Sequence, residues 1–233
     1  MPLGKTDAVK ADVRERVRAA LDPAVELLSR AGIHPDWISA AGLALTAYAA
    51  YLFARGEFTV ASLVALLGAL LDAVDGAVAR RQGRETAFGA FLDSTLDRVS
   101  DTLLFLGVAA HYFYQPVLAG ELLVPDFQAR LLGGTPVDDW LRGMAAVVAL
   151  AGAYLVSYTR ARSEGLGQAC RVGWFERPER LLVLLGAGLF GAGVIMDFAL
   201  VVLVGMTWFT AAQRFWYVRR TLAGVPLSRA KDR

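Results

Sequence analysis

The sequence predicts an all-α fold: a polytopic membrane bundle of six transmembrane helices with an N-terminal interfacial amphipathic helix. Three observations predict it. Of the 233 residues, 56% are hydrophobic, too many and too segmented for an ordinary soluble domain. The apolar residues gather into stretches of about 20, the length that crosses a hydrocarbon core of about 30 Å. The first thirty or so residues are polar and lack the short apolar core of a signal peptide, so no cleaved leader is expected. Composition excludes other classes. A net charge of +2 does not imply nucleic acid, and the one cysteine, Cys170, leaves no intramolecular disulfide or cysteine metal cluster.

Taken in order, residues 1–33 are expected to form a cytoplasmic juxtamembrane helix. Between Lys5 and Arg30 charge alternates with Val, Leu and Ala at helical spacing, interrupted by Pro23, which suits a helix at the membrane surface with a basic wet face. Six apolar spans follow at about 36–55, 59–81, 88–113, 139–162, 179–197 and 199–219. Breaks are expected at ARGEF (54–58), in the polar segment 114–139 and at a tight MDF turn (196–198). A six-helix bundle over 34–220 and a cytoplasmic tail over 221–233 complete a single membrane domain, 1–233.

Orientation follows from the basic residues. Arg80, Arg81, Arg84, Arg160, Arg162, Arg171, Arg177, Arg180, Arg219, Arg220, Arg229, Lys231 and Arg233 fall on the side of the N-terminus, against Arg55, Arg130 and Arg142 opposite. A multi-pass protein of the cell membrane is expected, with both termini and the active site cytoplasmic.

The second and third spans enclose DAVDGAVARRQGRETAFGAFLDSTLD, residues 72–97. Asp72 and Asp75 are three apart and Asp93 and Asp97 four apart, so each pair shares one helix face. Converging carboxylates repel at such depth unless neutralised. Hard divalent cations such as Mg²⁺ or Mn²⁺ take oxygen ligands, and two of them about 4 Å apart suit phosphoryl transfer. Gly76, Ala79, Gly89 and Ala90 leave room for close approach, and Arg80 is placed to meet a phosphate. Pairing of the acids with Arg80, Arg81, Arg84 and Arg98 is the plain structural alternative. Asp101, one turn farther, fits a solvated or paired acid better than a fifth ligand. His34 and His111 are single and unclustered, so neither is expected to bind metal.

The run Asp72-x2-Asp75-Gly76-x2-Ala79-Arg80-x8-Gly89-x3-Asp93-x3-Asp97 resembles the signature of the CDP-alcohol phosphotransferase family at every fixed position. The resemblance implies a transferase that moves the phosphatidyl group of CDP-diacylglycerol to an alcohol and releases CMP, within phospholipid biosynthesis. It implies that Asp72, Asp75, Asp93 and Asp97 hold two ions, Mg²⁺ or Mn²⁺, and that Asp97 is the catalytic base. Gly76, Arg80 and Thr86, with Pro35, Asp36, Trp37 and Ile38, would contact the CDP-lipid.

The stretches SYTRARSEGLG (157–167) and FERPERL (175–181) bring arginines to the cytoplasmic side. Guanidinium forks suit phosphate oxygens, which favours a phosphorylated polyol acceptor; positive-inside anchoring explains some of them equally well. Arg214, in AAQRFWY within the last apolar span, should face the bundle interior. These stretches are similar to those of the prokaryotic phosphatidylinositol-phosphate synthase branch, which implies inositol 1-phosphate as acceptor and Arg160, Arg180 and Arg214 as its phosphate site. Two departures stand out: Arg160 replaces a frequent Lys, and QACRVGW (168–174) lacks a Gly-Asp-Gly-rich connection. The runner-up is a phosphatidylglycerol-phosphate synthase using glycerol 3-phosphate. An ion-coupled transporter is the alternative from another class, but neither inverted repeats nor broken helices are evident. The glycine-rich LLGAGLFGAGV (184–194) would permit a homodimer, or close packing within one protomer.

Overall fold

The computed structural model describes residues 5–118, 136–170 and 172–224. The expectations for Arg130, Arg171, Arg229, Lys231 and Arg233 lie outside the described residues. Among those described, all regular structure is helical, in seven helices: α1 Lys5–Arg30, α2 Pro35–Ala54, α3 Phe58–Arg81, α4 Ala87–Leu118, α5 Pro136–Glu164, α6 Arg177–Gly188 and α7 Val194–Leu222.

Four segments are long and apolar enough to cross a membrane: Pro35–Ala54, Phe58–Arg81, Asp139–Glu164 and Val194–Leu222. Their outward faces carry large exposed apolar side chains, among them Leu63 and Leu67 on α3 and Phe198 and Val201 on α7. Apolar surface of that kind matches lipid as the solvent. Helix α4 has the length, with 32 residues, but carries Asp93, Asp97, Arg98 and Asp101.

Three boundaries differ from expectation. Helix α1 continues through Pro23, because Leu21, Val25 and Leu28 on either side of it pack into a buried cluster. The polar segment 114–139 contributes its first residues to α4 and its last to α5; residues 119–135 are outside the described set. The break expected at Met196–Phe198 falls instead between Gly188 and Val194, and those three residues are helical. Gly191 adopts φ +87° there, a left-handed conformation that glycine takes without steric cost. As a result α6 has only 12 residues, a rise of about 18 Å.

The chain forms two compact units. The first comprises residues 1–45 and 67–96. Its core joins Val25 of α1, Ile38 of α2, and Val74 and Val78 of α3. Arg81 of α3 ties α1 down through Asp22, at 3.1 Å, and Glu26. The second unit comprises 46–66 and 97–233. Its core draws Phe53, Phe58, Phe105, Tyr112, Leu184, Met196, Leu200 and Leu203 from α2 to α7 into one cluster.

Candidate functional site

Helix periodicity brings Asp72 of α3 near Asp93 of α4, and α4 runs on unbroken to Asp97 one turn later. Within the first unit, carboxylate oxygens of Asp72 and Asp93 lie within 4.8 Å of each other. Hard oxygen donors so placed are what a divalent cation takes. Asp75 lies one turn along α3 from Asp72. It is buried, 6% exposed, and accepts a hydrogen bond from the Ser39 hydroxyl of α2.

The residues expected around a CDP-lipid fall into different settings. Arg80 is exposed and lies along Gly76, where an added Cβ would be 3.5 Å from its Nη1. Thr86 precedes α4, and its Oγ1 accepts from the Gly89 N–H at 2.9 Å, the N-cap arrangement that satisfies a first-turn donor. Asp36 and Trp37 are exposed, while Pro35 is buried. Ile38 is 5% exposed within the cluster of Val25, Val74 and Val78. Its side chain is therefore a packing element.

Arg160, Arg180 and Arg214 come together in the second unit. They line one cleft of about 170 Å³ with Asp97, Arg98, Asp101, Ser157, Glu176 and Arg177. Five arginines face three carboxylates there, a surplus that favours an anionic guest. Arg180 is 2% exposed and donates from Nη2 to Asp101 Oδ2 at 2.7 Å; Asp101 is thus a paired acid. Arg214, also 2% exposed, faces the protein interior. Its Nε donates to the Val172 carbonyl at 2.8 Å and its Nη1 to the Val156 carbonyl at 2.6 Å, while its Nη2 reaches Glu176 Oε1 at 3.0 Å. Arg160 is the exposed member, bonded to Glu164 Oε1 at 2.9 Å.

Two cleft residues carry more than their sequence context suggests. Arg177, read as a membrane-flank charge, pairs with Asp97 and lies 3.7 Å from Asp101. Glu176 contacts two of the three arginines of interest. Its only sequence signal is the Glu-Arg-Pro-Glu run, in which Pro178 starts a helix and Glu179 Oε2 accepts from the Glu176 N–H at 3.0 Å.

Comparison with known proteins identifies the family. The archaetidylinositol phosphate synthase of Methanothermobacter thermautotrophicus is 34% identical over 212 residues, covering 90% of this chain and 93% of that protein. The phosphatidylinositol phosphate synthase of Streptomyces avermitilis is 35% identical, covering 91% and 83%. Among solved structures, the phosphatidylinositol phosphate synthase of Mycobacterium tuberculosis with CDP-DAG bound superposes with a TM-score of 0.68 at 28% identity, covering 84% of this chain and 92% of that one. The same enzyme, in complex with manganese and citrate, gives a TM-score of 0.68 and covers 84% and 87%. Residues 32–212 match the CDP-alcohol phosphatidyltransferase family model, and the chain belongs to that family of enzymes.

Proposed function

We propose that this enzyme transfers the phosphatidyl group of CDP-diacylglycerol to inositol 1-phosphate, producing phosphatidylinositol phosphate and CMP. The observation that carries this reading is the single cleft lined by Arg160, Arg180, Arg214 and Asp97. It offers guanidinium forks to the phosphate of an acceptor and a carboxylate to its hydroxyl. The names of the relatives, and the CDP-DAG bound to the mycobacterial enzyme, support both donor and acceptor.

Asp72, Asp75, Asp93 and Asp97 would hold two divalent cations, Mg²⁺ or Mn²⁺; the neighbouring oxygens of Asp72 and Asp93 fit them, and the manganese in the mycobacterial structure supports the choice. When bound, such ions supply positive charge to the diphosphate and the leaving CMP. The arginines hold the acceptor by its phosphate. The acceptor hydroxyl oxygen attacks the phosphorus that bears the diacylglycerol, the bond to the CMP oxygen breaks with its electron pair, and Asp97 takes the hydroxyl proton. Arg80 and Thr86, with Gly76 and the 35–38 stretch, flank the cytidine diphosphate; for Ile38 the contribution is to pack the start of α2.

The same reading makes 1–233 one membrane domain, supported by a family match that runs through both units. Six spans, with α6 as a short fifth, leave α1 at the interface and both termini and the cleft on the cytoplasmic side of the cell membrane.

The test is CMP release by detergent-purified protein with CDP-diacylglycerol and Mg²⁺ or Mn²⁺, comparing inositol 1-phosphate, glycerol 3-phosphate, free inositol and serine. Inositol 1-phosphate is expected to give the highest kcat/KM, and Asp97→Asn to cut kcat by at least about 100-fold with folding unchanged. Glycerol 3-phosphate as the preferred acceptor would reassign the enzyme; full activity in Asp97→Asn would remove the base.

A further inference from the structure

Glu176 lies where three helices deliver their arginines. Its Oε1 accepts from Arg214 Nη2 of α7 at 3.0 Å and stands 3.9 Å from Arg160 Nη1 of α5. It is also the residue at which α6 begins, and the first turn of α6 presents Arg177 and Arg180 to the same cleft. The other nitrogens of Arg214 are committed to the carbonyls of Val172 and Val156. Beyond these bonds Nη1 and Nη2 each keep one further N–H for a guest.

An arginine 2% exposed on an apolar helix needs a counter-charge at hand. Glu176 supplies it and lines the cleft wall. Its own setting is firm, because its N–H is bonded to Glu179 and Gly173, at φ +124°, lets the preceding strand of backbone press against Arg214.

We propose that Glu176 is the positioning residue of the acceptor-phosphate site: it aims Arg214 Nη2 and Arg160 into the cleft, so that an entering phosphate monoester meets forks already in place. Its charge opposes the phosphate, but preorganised guanidinium groups outweigh that cost, since without the carboxylate Arg214 would have to be ordered at each binding event. The inference rests on the reading of this cleft as the site of the acceptor phosphate.

The experiment measures kcat and both KM values from CMP release for wild type, Glu176→Gln and Glu176→Asp, with thermal unfolding of each. Glu176→Gln is expected to raise KM for inositol 1-phosphate about tenfold or more, the scale of one charge-assisted hydrogen bond, while KM for CDP-diacylglycerol stays within about twofold. Glu176→Asp, which keeps the charge, should recover most of the acceptor KM. An unchanged or lowered acceptor KM in Glu176→Gln overturns the proposal, as does an equal rise in both KM values. If Glu176→Gln does not fold, Glu176→Asp decides: a small rise in the acceptor KM at an unchanged donor KM, the residue of a carboxylate one methylene short, supports the proposal, and an unchanged acceptor KM or an equal rise in both overturns it. Wild-type protein that releases no CMP with any phosphorylated acceptor overturns the underlying function as well, a result visible before any variant is made.

Discussion

Ser39 shows how one hydroxyl conditions a carboxylate. Asp75 is buried and bonded to it, whereas Asp72 and Asp93 bring their oxygens together. If Asp75 is a metal ligand, Ser39 sets the direction in which its carboxylate points, and partners of that kind are typically worth 10–100-fold in metal affinity. Ser39→Ala is expected to raise the Mn²⁺ concentration for half-maximal CMP release by about that factor, with kcat at saturating Mn²⁺ nearly unchanged. A Mn²⁺ titration of the purified variant checks it; an unaltered midpoint would leave Asp75 a structural acid. The four carboxylates were legible because helical spacing alone puts each pair on a face. The hydrogen bond on Asp75 was not, because its donor is a serine 36 residues away. Ile38 illustrates the same limit: its position in a motif says nothing about which way the side chain packs, and the core of Val25, Val74 and Val78 claims it.

Helices and their connections divide the same way. Periodicity and hydropathy located α2, α3, α5 and α7 within a few residues, since an unbroken apolar run leaves little freedom about where a helix lies. They failed between α6 and α7, where LLGAGLFGAGV reads as continuous apolar sequence and only a backbone dihedral at Gly191 ends the helix. The connection from α5 to α6 depends on another glycine. At Gly173 an added Cβ would meet Thr210 Cγ2 at 2.8 Å and Arg214 Nε at 3.0 Å, at φ +124°. Gly173→Ala combines backbone strain with a clash, an expected loss of about 1–3 kcal/mol each. Thermal unfolding in detergent should show a lowered midpoint, together with a raised KM for inositol 1-phosphate as Arg214 is displaced. A variant as stable and as active as wild type would mean that the segment yields at no cost.

For the whole molecule the decisive quantity is which charges end on which side. The cleft gathers five arginines, and the last turn of α7 adds Arg219 and Arg220, with Arg219 over the Trp216 ring at 4.8 Å. Arginine flanks and interfacial tryptophan are the anchors that orient a bundle. Small epitopes fused at either end are expected to be protected from protease in intact cells and cleaved in inverted vesicles. Cleavage of one end alone in intact cells would mean an odd number of crossings and a different place for α6. The family was readable from eight spaced residues. The pairing that organises the cleft, Arg180 with Asp101 and Arg214 with Glu176, was not, because each pair is made of residues far apart in the chain, and no spacing rule names the partner of an interior arginine or a paired acid.

The seat of Arg214 bears on how the protein is made. Helix α7 follows the others out of the ribosome, yet the groups that satisfy its guanidinium, the carbonyls of Val156 and Val172 and the Glu176 carboxylate, belong to segments synthesised earlier. This helix therefore enters lipid carrying a charge that only an already folded cleft can accept. A chain in which that cleft is misassembled keeps in α7 a charge without its partners, the costly state for an arginine in lipid.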